Sequence, residues 1–195
     1  EIELPLVIGE ALAALPMPPA RIRVNNRKLA EGFYRGVGAG DAAAVLRVVD
    51  KLDKIGPAAV AQALGSQAGL TLAAARACLA LAGIGSSDGS FADQVKALGV
   101  NDPLLDEGLE ELVRVVDGVA AIRPGLVMAD LRIARGLDYY TGTVFETQMA
   151  GFEHLGSICS GGRYDQLASD GKNTYPGVGI SLGVSRLLVP LITKN

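Results

Sequence analysis

The chain has 195 residues, 18 Lys and Arg against 21 Asp and Glu, and a net charge of −3, so any contact with nucleic acid must come from a local basic patch rather than a global field. Its composition is 49% hydrophobic with no Trp, which leaves Ala, Leu, Val and Ile to fill the core. No apolar run approaches the roughly 20 residues of a membrane helix and the N-terminus has no leader pattern, so a soluble, cytoplasmic chain is expected.

Residues 1–15 carry Ile2, Leu6, Ile8, Leu12 and Leu15 at near-helical spacing, and Pro16, Pro18 and Pro19 stop that helix. Residues 21–25 alternate basic and apolar side chains, the pattern of a half-buried strand. Asn25 and Asn26 suit a turn, and a helix is expected from Lys28 to a stop at Gly36. Arg21, Arg23, Arg27, Lys28 and Arg35 make this the most basic stretch, read as a solvated face. Gly36, Gly38 and Gly40 follow a helix rather than a strand, so they read as cap and linker, not as a phosphate loop.

From residue 41 to 117 the chain turns rich in Ala, Leu and Val with regular helix stops. Asp41 is placed to cap a helix over 42–55, which Gly56 and Pro57 break. Further helices are expected over 58–64, over 71–82 with Thr71 as cap, over 91–98 and over 106–119, with a loop at 86–90. Together they read as a helical module set into a β-rich body.

Pro124 and Gly125 mark the return to sheet. Residues 126–133 read as a strand with Asp130 and Arg132 on one face, followed by strands over 143–149, 156–160 and 178–182. Residues 172–175 read as a loop, and Pro190 is expected to curtail a short helix that begins at Gly183. The single histidine, His154, reads as a loop residue and excludes a multi-His metal site. Cys78 and Cys159 lack CxxC partners, so they read as small core residues. Residue 1 already lies in a helical pattern and the chain stops shortly after its last motif, so a piece of a longer protein is expected.

Three runs carry chemistry. Arg135-Gly136-Leu137-Asp138-Tyr139-Tyr140-Thr141-Gly142 sets a cation, an acid and two phenols between glycines. Successive strand residues face opposite ways, so both phenols share a face only if the backbone turns there. Read alone, the run is also compatible with a hairpin carrying one buried Tyr and an Arg–Asp pair. Gly161-Gly162-Arg163-Tyr164-Asp165 suits close backbone approach to a ligand, or a bulge with a structural Arg–Asp pair. Residues 176–187 deliver a strand to a helix start, where free N–H groups and Arg186 make an anion site, or else a buried strand with an interfacial Arg. Their glycine spacing is wrong for a dinucleotide fingerprint.

The first run, extended to Glu146, resembles the histidine-specific signature of histidyl-tRNA synthetases, a class II family. The second resembles that family's other histidine-specific element, whose Tyr lines the amino-acid pocket. The third is similar to class II motif 3, whose Arg grips the ATP γ-phosphate; the acid that usually precedes this Arg is Ser185 here. Motifs 1 and 2 and the anticodon-binding domain have no counterpart in the chain.

The resemblance implies an α+β fold, part of a class II antiparallel β-sheet flanked by helices, with catalytic segments 1–40 and 124–195 around an inserted all-α module, 41–123. It implies activation of histidine by ATP with Mg2+, both as substrates with no tightly bound cofactor or resident metal, and transfer to tRNA(His) by a homodimeric full-length enzyme. Arg135 would be the catalytic cation bridging the histidine carboxylate and the α-phosphate. Tyr139, Tyr140 and Tyr164 would enclose the imidazole and amine, Gly183 and Arg186 would bind the triphosphate, and the module would steady the acceptor stem. The isolated 195 residues are expected to be inactive. The alternatives are a non-catalytic, histidine-sensing regulatory subunit of histidine biosynthesis and a purely structural module. The intact first run and the helical module argue against the regulatory subunit, and an ATP or histidine titration would separate an enzyme from the structural module.

Overall fold

The computed structural model describes residues 1–134 and 139–192. The alternating stretch near the N-terminus forms β1 (Ala20–Asn26), the central strand of six. The others are β2 (Gly85–Ser86), β3 (Val127–Asp130), β4 (Thr143–Met149), β5 (Cys159–Ser169) and β6 (Thr174–Leu182), in the spatial order β2-β3-β1-β4-β5-β6. All neighbouring pairs are antiparallel except β1 and β3, which run parallel. The sheet is therefore largely antiparallel and flanked by helices, as the α+β reading expected, with one parallel pair. The cause is the long helical crossover between these two strands, the connection that parallel pairing requires.

That crossover contains α2 (Arg27–Gly36), α3 (Ala42–Val49), α4 (Leu52–Ala68), α5 (Leu72–Ala82), α6 (Phe91–Ala97) and α7 (Pro103–Ile122), while α1 (Glu3–Ala13) precedes β1 and α8 (Val184–Ile192) follows β6. Asp41 and Thr71 cap α3 and α5 by accepting N–H bonds from Ala44 and Ala74, at 3.0 and 3.2 Å. Helices α2 and α7 cross at two glycines: a methyl on Gly32 would lie 2.2 Å from the Leu105 nitrogen, and one on Gly108 would lie 2.1 Å from the Leu29 nitrogen. The closeness lets α7 bury Leu105, Leu109, Leu112, Val116 and Val119. Lys28 fixes the crossing from outside, 2.7 Å from Glu107 and 2.6 Å from Glu111. Among the described residues no helix is long and apolar enough to cross a membrane.

Several boundaries differ from the periodic reading. The helix expected over 42–55 turns at Asp50 and Lys51, where the bonds tighten to three-residue spacing (Lys51 N–H to Val48 O, 3.1 Å). Gly56, at φ 78°, then kinks α4 and Pro57 restarts it. Helix α7 begins three residues early because Asp102 accepts the Leu104 N–H at 2.8 Å and Pro103 takes the first helical position. Strand β3 stops at Asp130, whose Oδ1 accepts the Arg132 N–H at 3.1 Å, so Asp130 and Arg132 do not share a strand face. Ser86, expected in a loop, pairs with Ala129. Strands β5 and β6 are longer than expected and form a hairpin around Asp170, which accepts bonds from the Lys172 and Asn173 amides. Helix α8 continues through Pro190 to Ile192. His154 lies exposed in a short turn, and Cys78 and Cys159 are buried free thiols.

Candidate active site

Strand register gathers small and aromatic residues on one face of the sheet. Val144 on β4 stands beside Gly162 on β5, which stands beside Gly179 on β6; Tyr164 pairs with Gly177. The absent side chains make room for rings. A methyl on Gly162 would sit 2.8 Å from Tyr140 Cδ1 and 2.7 Å from the Thr143 carbonyl oxygen. One on Gly177 would sit 2.5 Å from Tyr164 Cε2, and one on Gly179 would sit 3.3 Å from its hydroxyl. Tyr140 and Tyr164 thus lie on glycine floors. Tyr139 joins them: its ring centroid is 4.6 Å from that of Tyr140 and 6.4 Å from that of Tyr164, nearly perpendicular at 85°. These are the tilted and edge-on arrangements that ring quadrupoles favour.

The three phenols named from sequence therefore converge. Arg135 lies outside the described residues. The backbone leading toward it is anchored by buried Asn25, whose Nδ2 donates to the Ile133 carbonyl at 2.7 Å.

Beside Tyr140 opens a cavity of about 610 Å³, within the range of small-molecule pockets. Val144, Phe145, Ser160 and Gly161 form its sheet side; Leu46, Arg47, Asp50, Lys51 and Lys54 form its helical side, and Ile133 and Ala134 complete it. A smaller space of about 100 Å³ shares Asp50, Lys54, Ile133 and Ala134 and reaches Arg23 and Glu146. Burial pushes the Tyr140 hydroxyl up to about 12, with a hydrogen bond to Tyr139 and the nearby Tyr139 and Tyr164 phenols adding to it. At neutral pH it is an uncharged O–H donor. Burial also raises the thiols of Cys78, to about 12, and Cys159, to about 11, so neither supplies a ready thiolate.

Two features here were not read from sequence. Arg23 is not on a solvated face: it bridges Asp130 and Glu146, each at 2.9 Å, and all three side chains are at most 12% exposed. The second is a set of bonds tying the backbone just beyond Tyr140 to the residues on either side of Tyr164. The Thr141 N–H donates to the Arg163 carbonyl at 2.9 Å, and its hydroxyl donates to Asp165 Oδ2 at 2.7 Å and accepts from the Asp165 N–H at 3.1 Å. Arg163 holds the other carboxylate oxygen from Nε at 2.9 Å and reaches Glu1 at 3.3 Å. Only the Arg–Asp spacing in residues 161–165 hinted at this.

Gly183 and Arg186 lie apart from the phenols, at the junction of β6 and α8. The Gly183 N–H bonds the Ile158 carbonyl at 2.8 Å, and the Arg186 guanidinium donates to the Ser157 carbonyl. Neither residue borders the cavity beside Tyr140.

The family model described as histidyl-tRNA synthetase matches residues 1–187. Histidine–tRNA ligase of Micrococcus luteus is 56% identical over 195 residues, which is all of this chain and 43% of that protein. The Clostridium tetani ligase is 38% identical, matching 98% of this chain and 44% of its own length. The chain thus spans less than half the length of these relatives. The crystal structure of histidyl-tRNA synthetase from Nostoc sp. PCC 7120 superposes with a TM-score of 0.90 at 36% identity, over 98% of this chain and 46% of that one. A Bacillus halodurans structure described as an ATP phosphoribosyltransferase regulatory subunit/histidyl-tRNA synthetase shares the fold at a TM-score of 0.76 and 20% identity, over 95% of this chain and 50% of that one. With its family model spanning residues 1–187 and a relative's fold superposing on 98% of it at a TM-score of 0.90, this chain belongs to the histidyl-tRNA synthetase family.

Proposed function

We propose that a full-length ligase containing this chain activates histidine with Mg-ATP and passes the histidyl group to tRNA(His). The observation that carries the reading is the convergence of Tyr139 with Tyr140 and Tyr164, the latter two seated on glycines and Tyr140 bordering a cavity of small-molecule size. Aromatic bodies exclude water from an imidazole while hydroxyls offer it directional bonds. In the first step a histidine carboxylate oxygen bonds the α-phosphorus and pyrophosphate leaves. In the second a ribose hydroxyl at the tRNA 3′ end bonds the histidyl carbonyl carbon and AMP leaves. Neither step needs a covalent enzyme intermediate, so rate comes from orientation and charge neutralisation.

In this reading Arg135 neutralises the carboxylate and α-phosphate together, and Gly183 and Arg186 hold the triphosphate, with Mg2+ arriving on ATP. The inserted module lies within residues 41–123, between catalytic segments 1–40 and 124–195, and its last helix, α7, goes with the catalytic body because it packs on α2, β1 and β3. The module steadies the tRNA acceptor stem. Dimerisation of the full-length enzyme and a cytoplasmic location belong to the same reading.

The test is histidine-dependent ATP–pyrophosphate exchange by a full-length ligase carrying this sequence. Arg135→Ala should slow exchange by roughly a hundredfold or more, the loss typical of one preorganised electrostatic contact. A near-parental rate in that variant refutes its role, and histidine binding without exchange in the parent favours a non-catalytic, histidine-sensing protein instead.

A further inference from the structure

We propose that Thr141 and Asp165 are positioning residues that fix how tightly the phenol pocket holds histidine; this rests on the reading of that pocket as the histidine site. Tyr140 and Tyr164 arrive on segments 24 residues apart, so their relative placement depends on what joins the two backbones. Three bonds do so, from the residue after Tyr140 to the residues on either side of Tyr164: Thr141 N–H to the Arg163 carbonyl at 2.9 Å, the Thr141 hydroxyl to Asp165 Oδ2 at 2.7 Å, and the Asp165 N–H back to that hydroxyl at 3.1 Å. One hydroxyl therefore donates and accepts across the same seam, and its acceptor is a carboxylate, the stronger class of partner.

The device stands behind the pocket. Strand side chains alternate, so Arg163 and Asp165 face away from Tyr164. Arg163 orients the carboxylate by taking its other oxygen at 2.9 Å, and its stem fills the space beside Gly142, where a methyl would come within 3.0 Å of Cδ. The Thr141 hydroxyl and the Asp165 carboxylate are taken up by each other and by Arg163, so both act through the rings rather than on the ligand. Such a seam should matter most for the substrate the rings enclose. Histidine affinity depends on two phenols meeting at one ligand, whereas ATP is held elsewhere.

Thr141→Val keeps the shape and removes the hydroxyl; Thr141→Ser keeps the hydroxyl. In a full-length ligase, pyrophosphate exchange should show the histidine KM of Thr141→Val rising about tenfold with the ATP KM within about twofold, and Thr141→Ser within about twofold of the parent for both, since small misplacements of binding groups are costly. An unchanged histidine KM in Thr141→Val overturns the proposal, as does an equal rise for both substrates. NMR of ring-labelled tyrosine reads the seam without catalysis: Thr141→Val should shift the Tyr140 and Tyr164 signals and Thr141→Ser should not. Parental ring signals in Thr141→Val overturn the proposal, whereas a parent with no histidine-dependent exchange removes the functional reading on which it rests.

Discussion

Gly177→Ala separates the pocket from the fold. The residue lies on β6, and the three atoms nearest an added methyl belong to the Tyr164 side chain: Cε2 at 2.5 Å, Cζ at 2.9 Å and the hydroxyl at 3.2 Å. Carbon atoms rest about 3.5–4.0 Å apart, so the ring must withdraw by about 1 Å or swing out of its seat. A displacement of that size at a positioned group costs about a hundredfold in rate. Stability should hardly move. Gly177 is not in the left-handed region, so alanine reduces unfolded-chain entropy, worth about 0.4–1 kcal/mol, against a similar penalty for moving a partly exposed ring. The assay is histidine-dependent exchange beside a thermal melt: exchange should fall about a hundredfold while Tm stays within about 3 °C. Gly161→Ala is the contrast, because its methyl would lie 2.0 Å from the Gly179 carbonyl oxygen, a backbone atom that cannot swing away. Near-parental exchange in Gly177→Ala would show that the Tyr164 seat has no part in the reaction.

Arg186→Ala should raise the ATP KM by about tenfold and leave the histidine KM within about twofold, as for loss of one charge-assisted contact; an unchanged ATP dependence refutes the triphosphate role. Gly108→Ala, whose methyl would fall 2.1 Å from the Leu29 nitrogen, should lower the unfolding free energy by about 3 kcal/mol or more, whereas Gly65→Ala, whose methyl meets only the Leu70 carbonyl at 3.7 Å, should raise it by about 0.5–1 kcal/mol; denaturant midpoints that move alike would refute the packing argument. The Cys78 and Cys159 thiols ionise near 9.0 when unfolded but at about 12 and about 11 in the fold, so their contribution is complete below pH 9 and is lost as pH rises through the folded values. Tm should therefore decline above about pH 9, and the decline should be shallower in a Cys78→Ala, Cys159→Ala double variant; identical slopes refute the assignment.

Local signals in the sequence were reliable where the physics is local. Asp41 and Thr71 accept the N–H bonds that a cap should, and alternation located β1 and β4 because a strand side chain's face is set by its own position. The failures came from partners far along the chain. Arg23 looked solvated because Asp130 and Glu146 stand 107 and 123 positions away. Strand β3 looked longer because nothing in a hydrophobic pattern reports that Asp130 turns back to the Arg132 amide. Gly161 and Gly162 read as a bulge or a ligand approach beyond a strand over 156–160, yet β5 runs through them because the Tyr140 ring and the β6 backbone occupy the side-chain space.

The Gly161–Asp165 stretch also shows why a structural and a functional reading of one motif need not compete. Read as structure it predicts an Arg–Asp pair, and Arg163 does hold Asp165 at 2.9 Å. Read as a site it calls for close approach of backbone to a ligand, with Tyr164 lining the pocket; the Tyr164 ring packs against Gly177 and Gly179. A period of two reconciles them: residues 163 and 165 face one side of β5 and residue 164 the other. Both sides then meet the segment that follows Arg135, Tyr140 over Gly162 on the pocket side and Thr141 with Asp165 on the reverse. A substitution on the reverse side should therefore reach the pocket through backbone position alone, and the size of that transmission is what Thr141→Val measures.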